Sequence, residues 1–360
     1  MKISGKAVVL TNELFDTKSA KTAHGLIRAS KRFSIVAVID KTFCGKFVSL
    51  DENEKITLTD SPSKTPIYKD IKSFVESSLE ASFCIIGVAS AGGVLPDEMR
   101  ADLVLAIKNK MSIINGLHSM LSKDPELSSC AKTNSVTIYD IRKIVPREKL
   151  SFWSGEISAV KSTKIVVMGT DCGLGKRTTA KMIVEALQTK GSSADMIYTG
   201  QTGWMQGWDY GFVFDSTVND FVSGELERSI VACYKEKNPD FIIIEGQAAL
   251  RNPSGPCGGE FLISCSVDGV VLQHSPKRKY YDGWEHVGAL MPSLASEVAL
   301  IEAYGKRVVA IALTTSKMSE EEMQGYKKSL SKELNIPVFL PLEEGVLELA
   351  EILKKLRDDN

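Results

Sequence analysis

The stretch GTDCGLGKRTT at residues 169–179 decides the fold of the C-terminal half of this chain. It follows the apolar run IVVM at 165–168 and leads into a helical pattern of apolar residues. A strand, a glycine-containing turn and a helix form a cradle for phosphate, because backbone N–H groups and the positive end of the helix converge on anionic oxygens. Lys176 adds a full positive charge. The stretch therefore predicts a phosphate-binding turn within an α/β domain.

Two positions depart from the usual phosphate-binding pattern. Five residues rather than four separate Gly169 from Gly175, so Thr170 stands where the first glycine normally lies. The residue after Lys176, normally a Ser or Thr whose hydroxyl reaches Mg²⁺, is Arg177. A strand-to-helix turn that carries a lysine but binds no phosphate is the alternative interpretation. The residues expected to hold phosphate are Gly169, Thr170, Asp171, Gly173, Gly175, Lys176, Arg177, Thr178 and Thr179.

Composition is that of a globular protein of 360 residues, long enough for two domains. The 44 Lys and Arg residues balance 45 Asp and Glu residues, so no overall field favours nucleic acid or an anionic membrane as a partner. No apolar segment approaches the length of a membrane span and the N-terminus has no signal-peptide core, so we expect a cytoplasmic location. The 7 cysteines form no CxxC pair, which favours reduced thiols.

The chain divides near residues 150–163, between two series of alternating strand and helix patterns. The predicted domains are residues 1–155 and 160–360. Near-continuous apolar strands separated by helices are typical of parallel sheets. We therefore expect an α/β protein with a Rossmann-like N-terminal sheet and a doubly wound C-terminal sheet of the P-loop NTPase type. The predicted strands span 7–10, 35–39, 83–88, 112–115 and 136–139 in the first half, and 164–168, 195–198, 241–244, 270–273, 308–313 and 338–340 in the second; the predicted helices span 20–30, 97–110, 218–237, 292–304, 320–334 and 344–356.

The N-terminal half is like a dinucleotide-binding domain only in outline. The turn after its first strand, residues 11–22, contains no glycine and lacks the usual pyrophosphate finger, so we do not expect NAD there. Asp40 ends the second strand in the place of a ribose-binding carboxylate, and His118 follows the fourth strand as a candidate acid, base or ligand. The glycines of GVASAGG at 87–93 admit either a ligand or a tight turn. For each of these features a purely structural role is the alternative.

Further candidates in the C-terminal half lie where its predicted strands end, which is the edge at which parallel α/β sheets bind ligands. FIIIEGQ at 241–247 delivers Glu245 to a strand end, where a carboxylate acts as a base or holds Mg²⁺ together with Thr178. His274 follows another strand and is a second candidate base. The expected catalytic residues are Glu245, His274 and Lys176.

Two more clusters are candidates for substrate contacts. A glycine-rich stretch at 199–211 is predicted to be a loop that either closes over substrate or packs locally. The segment HSPKRKYYDGW at 274–284 places three cations side by side, which suits phosphate or carboxylate groups as well as a solvated surface. The residues expected to bind substrate are Gln201, Thr202, Gln247, Lys277 and Arg278.

GTDCGLGK with the later EGQ is similar to the dethiobiotin synthetase group of P-loop enzymes, but only over the second half. Motifs along nearly the whole chain carry a wider resemblance: KTAHGLIR (21–28), VAVID (36–40), IIGVASAGG (85–93), INGLHSML (114–121), GTDCGLGKRTTA (169–180), TGQTG (199–203) and IIIEGQ (242–247). Together they resemble a two-domain family whose assigned activity is D-glutamate N-acetyltransferase. The segment that follows is AALRNPSG, where the family has small Gly and Ser residues and a His-Pro pair, so Ala248, Ala249 and Asn252 depart from the pattern.

The resemblance implies an N-acetyltransferase that uses acetyl-coenzyme A and acts on a small-molecule amino acid or carboxylate. The cofactor diphosphate would lie on residues 169–176, and Glu245 or His274 would deprotonate the amine. Backbone N–H groups near Gly203 or Gly246 would stabilise the oxyanion, and residues 277–279 would hold substrate carboxylates or the 3′-phosphate of the coenzyme.

Two other functions stay open at this point, and a homo-oligomer is compatible with each. One is ATP- and Mg²⁺-dependent activation of a carboxylate, as in the synthetase group, against which Arg177 counts. The other is a non-catalytic nucleotide-binding sensor. One fold hosts many activities, so the fold does not choose between them.

Overall fold

The computed structural model describes residues 3–51 and 55–358. Strands and helices alternate along most of the chain. The strands are β1 Gly5–Leu10, β2 Phe33–Ile39, β3 Phe47–Leu50, β4 Ile56–Thr59, β5 Thr65–Tyr68, β6 Phe83–Ile86, β7 Ser112–Asn115, β8 Ile138–Asp140, β9 Thr163–Gly169, β10 Ala194–Tyr198, β11 Tyr210–Gly211, β12 Phe241–Glu245, β13 Gly269–His274, β14 Val308–Leu313 and β15 Val338–Phe339. The helices are α1 Lys21–Arg28, α2 Ile71–Val75, α3 Arg100–Lys108, α4 Pro125–Asn134, α5 Lys176–Thr189, α6 Gln201–Gln206, α7 Asn219–Lys237, α8 Gly259–Ser264, α9 Leu294–Ala303, α10 Glu320–Leu334, α11 Pro341–Glu344 and α12 Leu347–Asp358. Not one of these helices has the length and apolar character needed to cross a membrane.

The chain forms two compact units. The first unit contains the described part of Met1–Ile144 together with Gln201–Trp208. The second contains Val145–Gly200 and the described part of Asp209–Asn360. The second unit is therefore interrupted in sequence by eight residues that belong to the first, 201 to 208.

The first unit is built on a sheet with the strand order β4-β3-β5-β2-β1-β6-β7-β8. β1 lies between β2 and β6 and is parallel to both, whereas β3 is antiparallel to its neighbours β4 and β5. The strands β1, β2 and β6 carry fully buried Val, Ile and Leu side chains toward their carboxyl ends, as expected for a sheet covered on both faces. The carboxyl ends of β1 and β2 lie side by side at one edge.

The second unit is built on a parallel sheet with the order β11-β10-β12-β9-β13-β14-β15. Every residue of β9 and of β12 is buried, which explains their continuous apolar sequences. β9 lies between β12 and β13, so the turn that follows β9 is flanked by the carboxyl ends of both neighbours. This strand order creates the candidate site.

The predicted strands are confirmed, each within two residues of its expected bounds. The structure adds the strands β3, β4 and β5, which are short and only partly buried and therefore carry a weak apolar signal. The helix predicted at 344–356 is present as α12, which begins three residues later at Leu347 and follows the short α11. Gly345 between them has φ 72° and ψ −168°, a conformation that glycine adopts readily and that does not continue a helix.

The loop predicted at 199–211 is wrong for the central residues of this segment, which form the helix α6 in the first unit. Met205 is fully buried there, and the Arg32 guanidinium lies 4.3 Å from the centre of the Trp204 ring. Gln206 Nε2 donates to the carbonyl oxygen of Gly25 at 2.8 Å. The glycines of this stretch favoured a loop locally, but packing against the first unit stabilises a helix.

Candidate phosphate-binding site

The turn between β9 and α5 wraps closely around the lysine side chain. Gly175 precedes the helix with φ 94°, a conformation that favours glycine. A Cβ at Gly169 would lie 3.1 Å from Cδ and 3.2 Å from Nζ of Lys176, so a larger residue would displace the lysine side chain by a few tenths of an ångström where it folds back over the end of β9. The turn thus has the backbone shape of a phosphate cradle at a helix N-terminus.

Lys176 is 8% exposed, and its ammonium is held by backbone carbonyls. Nζ donates to the carbonyl oxygen of Asp171 at 2.8 Å and to that of Ala248 at 2.9 Å. Burial lowers the pKa of Lys176. Ala248 has φ 31°, a strained value for a residue other than glycine. The segment that follows β12 is therefore distorted where it supplies a carbonyl to the lysine.

Asp171 braces the turn from inside. Its side chain is fully buried, and Oδ2 accepts from Nη1 of Arg278 at 2.7 Å and from the N–H of Asp282 at 2.8 Å. Oδ1 accepts from the N–H of Cys172 at 2.7 Å and from Nδ2 of Asn252 at 3.0 Å. With these four donors on its carboxylate, Asp171 fixes the turn. The structure thus places Arg278 on Asp171, and its predicted contact with substrate stays a prediction.

Hydroxyl groups of the turn are tied to the strand next to it. Thr170 Oγ1 lies 3.0 Å from Nδ1 of His274 at the end of β13. Thr179 Oγ1 donates to Oε1 of Gln273 at 2.7 Å, and Gln273 Nε2 donates to Oγ1 of Thr314 at 3.0 Å. Burial and the nearby charge of Arg278 lower the pKa of His274 to about 4. The imidazole is therefore neutral at physiological pH.

Glu245 lies at the end of β12, on the other side of β9, and is 4% exposed. Oε2 accepts from the N–H of Thr199 at 3.1 Å, and Nη1 of Arg177 lies 3.7 Å from Oε1. Burial raises the pKa of Glu245, whereas Arg177 and the Thr199 N–H oppose that rise. Gln247 is held nearby, since its Nε2 donates to Oγ1 of Thr199 at 2.9 Å. The sheet edge thus carries a buried carboxylate next to the cationic turn.

Three residues expected to contribute here make other contacts. The N–H of Gly246 donates to the carbonyl oxygen of Val167 at 3.1 Å, and the predicted oxyanion contact from N–H groups near Gly203 or Gly246 stays a prediction. Lys277 Nζ donates to Oε2 of Glu322 at 2.7 Å on the surface. Lys279 lies 5.3 Å from the centre of the Tyr280 ring. Within the cation run, Lys277 is therefore engaged by an acidic neighbour.

The predicted substrate residues Gln201 and Thr202 lie on α6, in the first unit. Both are buried, and Thr202 Oγ1 is 3.2 Å from Oγ1 of Thr22 on α1. A Cβ at Gly116 would lie 3.0 Å from Cγ of Gln201, so the two residues pack closely. Their contacts are with the first unit, and their role toward substrate stays a prediction.

The other candidates of the first unit, Asp40 and His118, make contacts within that unit, and their predicted roles toward a ligand stay predictions. Asp40 is fully buried, and its Oδ2 accepts from Oγ1 of Thr11 at 2.8 Å and from the N–H of Phe15 at 3.1 Å. Its carboxylate is therefore engaged by donors of its own unit. His118 packs against Gly93, whose carbonyl oxygen accepts from the His118 N–H at 2.9 Å. Across residues 3–51 and 55–358, no three His, Cys, Asp or Glu side chains group as a metal site.

Comparison with known proteins places this architecture in a family. A family model described as the "Domain of unknown function (DUF1611_C) P-loop domain" matches residues 151–350, and the "DUF1611_N" Rossmann-like domain matches residues 50–144. The chain belongs to the DUF1611 family. A crystal structure of a DUF1611 family protein from Anabaena variabilis ATCC 29413 aligns with a TM-score of 0.85 at 26% identity, over 97% of this chain and 99% of that one. The predicted fold class is confirmed.

Two relatives of this DUF1611 chain are named D-glutamate N-acetyltransferase. The protein from Pseudoalteromonas sp is 30% identical over 278 residues, which is 75% of this chain and 80% of the relative. The protein from Tritonibacter scottomollicae is 29% identical over 282 residues, or 76% of this chain and 81% of the relative. The family resemblance read from the motifs is therefore confirmed.

Sequence reasoning missed the residues that brace the site of this DUF1611 chain. Asn252 was noted only as a departure from the family pattern, and it proves to hold Asp171. Thr199 connects Glu245 to Gln247 through its N–H and hydroxyl. Their partners lie dozens of residues away, so no local pattern could have identified them.

Proposed function

We propose that this chain is an N-acetyltransferase that transfers an acetyl group from acetyl-coenzyme A to the amine of an amino acid. The observation that carries the proposal is the buried carboxylate of Glu245 at the strand end next to the cationic turn of Lys176. The names of the two relatives support the same activity and point to D-glutamate as the first substrate to test. The same account favours a cytoplasmic location, where acetyl-coenzyme A is made and used.

The turn fits the diphosphate of coenzyme A. Lys176 and the N-terminus of α5 supply positive charge, and Gly169 keeps the end of β9 open to the lysine. The carbonyl oxygens that now hold the Lys176 ammonium are neutral acceptors, so an anionic phosphate oxygen competes well for the same donor. These residues would hold the cofactor without any rearrangement of the strands.

Glu245 is the proposed general base. Acetyl-coenzyme A, when bound, supplies a thioester carbonyl that an amine attacks. Glu245 takes a proton from the substrate ammonium group and so frees the lone pair of the amine. Burial raises the pKa of this carboxylate and makes it a stronger base, while the Arg177 guanidinium favours its ionised form.

His274 is a positioning residue in this proposal. Its pKa of about 4 makes it a weak base for an ammonium group. Its Nδ1 is already 3.0 Å from the Thr170 hydroxyl, so its contact is with the turn. Of the two bases that the sequence suggested, Glu245 is therefore the one we assign to proton transfer.

The test is an acetyl-transfer assay with acetyl-coenzyme A and a panel of D- and L-amino acids, in which free thiol reports turnover. Glu245→Gln is expected to lower kcat by about a hundred- to ten-thousand-fold, the usual contribution of a general base. Glu297→Gln is the matched control, because Glu297 is also a buried carboxylate paired with an arginine, Arg251, but lies on α9. Absence of thiol release with every amino acid, or full activity of folded Glu245→Gln, would contradict the proposal.

A further inference from the structure

We propose that Arg177 is a built-in cation that takes the place of Mg²⁺, so that this site binds a diphosphate ligand without a metal ion. The inference rests on the proposed phosphate site and narrows its ligand class. It makes the turn selective for the diphosphate of a coenzyme over the magnesium complex of a nucleoside triphosphate. The argument depends on where Arg177 lies and on what surrounds it.

Arg177 stands at the position that normally supplies the metal-binding hydroxyl. That position follows the lysine at the start of the helix, where a Ser or Thr side chain reaches Mg²⁺ beside the phosphates. The neighbouring hydroxyls of Thr170 and Thr179 contact His274 and Gln273. Arg177 is a cation and has no hydroxyl, so the residue at the usual metal position does not fit Mg²⁺, and the predicted Mg²⁺ contact of Thr178 stays a prediction.

The Arg177 guanidinium also lies next to the carboxylate that would provide the other ligand of a usual Mg²⁺ site. Its Nη1 lies 3.7 Å from Oε1 of Glu245, the strand-end carboxylate that would otherwise hold the ion. A divalent cation between Arg177 and Lys176 would be repelled by both positive charges. Arg177 thus stands in place of the metal-binding hydroxyl and supplies a positive charge where the metal ion would lie.

Arg177 has a buried side-chain hydrogen-bond donor without an acceptor. Its side chain is 19% exposed, and its Nε is buried without a hydrogen-bond partner. Burial lowers the pKa of the guanidinium, because removal of a cation from water is costly. The nearby carboxylate, at 3.7 Å, is too distant for a strong hydrogen bond. Phosphate oxygens are the acceptors that match a guanidinium best.

The charge balance indicates which phosphate ligand fits. Lys176 and Arg177 supply two positive charges beside the turn, and ionised Glu245 offsets part of the charge of Arg177. A diphosphate diester such as that of coenzyme A carries fewer negative charges than a triphosphate and needs no metal to offset the remainder. The adenosine diphosphate moiety is common to coenzyme A and ATP, so metal dependence is the property that distinguishes the two.

The wild-type protein provides the first test. Isothermal titration with coenzyme A and with ADP, each in EDTA and in millimolar MgCl₂, is expected to give the same affinity with and without the metal. ATP is expected to bind no more tightly when Mg²⁺ is added. A loss of coenzyme A or ADP affinity in EDTA, or binding of none of these probes, would overturn the inference.

Exchange of the arginine provides the second test. Arg177→Thr restores the usual hydroxyl and is expected to weaken metal-free binding of coenzyme A and ADP about ten- to a hundredfold. The same variant is expected to bind ATP better with Mg²⁺ than without it. Arg177→Lys keeps the charge and should retain metal-free binding. Arg228→Thr is the matched control, because Arg228 also pairs with a buried carboxylate, Glu225, but lies on α7.

The outcomes separate this inference from the proposed activity. Metal-free binding that depends on Arg177, without acetyl transfer to any amino acid, would support the inference and contradict the activity. Acetyl transfer by the wild-type protein, together with unchanged metal-free affinity in folded Arg177→Thr, would support the activity and contradict the inference. If that variant fails to fold, the EDTA comparison in the wild-type protein still decides the question.

Discussion

The two units share one architecture and treat the edge of their sheets in opposite ways. In the first unit, the turn after β1 meets the buried carboxylate of Asp40, which accepts from the Thr11 hydroxyl and the Phe15 N–H. In the second unit, the turn after β9 carries the Lys176 ammonium, with Arg177 next to it. The first edge carries a carboxylate that pairs with donors of its own unit, whereas the second carries two cations beside the buried carboxylate of Glu245.

The comparison teaches that the sheet determines where a polar site can form and that the residues around the turn determine which groups bind there. Polar groups at the edge of a parallel sheet need partners. In the first unit the Asp40 carboxylate provides them from within the protein. In the second unit Asp171 braces the turn from below and leaves the lysine with neutral carbonyl acceptors, which an anion replaces readily. The difference predicts which variants disturb stability and which disturb binding.

The largest expected effect on stability is that of Asp171→Ala in the second unit. This change leaves Arg278 without its carboxylate, and removal of one partner of a buried ion pair costs about 3–5 kcal/mol. The free energy of unfolding, from urea denaturation, should fall by that amount. Asp268→Ala is the comparison, since Asp268 forms an ion pair with Lys164 but is only partly buried. Equal losses of unfolding free energy in the two variants would show that Asp171 does not stabilise the turn more than an ordinary, partly buried ion pair does.

Asp40→Ala tests the first unit and is expected to cost about 3 kcal/mol, because it leaves the N–H groups of Phe15 and Thr42 without their carboxylate acceptor and removes that of the Thr11 hydroxyl. The affinity for ADP should not change, since the proposed ligand contacts lie in the second unit. Urea denaturation and isothermal titration on the same preparation measure both quantities. A stable Asp40→Ala variant with weakened ADP binding would break the comparison.

The smallest effect concerns pH and His274. Its pKa falls from 6.5 in the unfolded chain to about 4 in the folded protein, so only the unfolded state takes up a proton between these values. Stability is therefore lost as the pH drops below about 6.5, and His274 accounts for about 2 kcal/mol of that loss between pH 7 and pH 5. The urea midpoint should fall less between pH 7 and pH 5 in His274→Gln than in the wild-type protein. Parallel losses in the two proteins would show that His274 is not the source.

The sequence predicted the parts of the site that depend on local pattern. The glycine turn, Lys176 and the strand that ends at Glu245 follow from apolar runs and turn residues, and the structure places them at one edge. The strand order that sets β12 and β13 on either side of β9 depends on packing between segments far apart in the chain.

The supporting contacts lay beyond prediction for the same reason. Asp171 and Arg278 are 107 residues apart, and their pairing is visible only in the folded unit. α6 was mistaken for a loop because its glycines are a local signal, while the burial of Met205 is a tertiary one. Sequence pattern thus indicated the reactive groups, and the fold revealed what holds them.

The central claim is that a diphosphate-bearing ligand binds at Lys176, and isothermal titration of coenzyme A tests it most directly. Lys176→Ala is expected to weaken binding about a hundredfold or more, because it removes a charge-assisted contact in a buried site. Lys181→Ala, which removes another buried lysine of α5 that pairs with Glu185, should leave the affinity unchanged. Undiminished affinity of folded Lys176→Ala for coenzyme A would contradict the account.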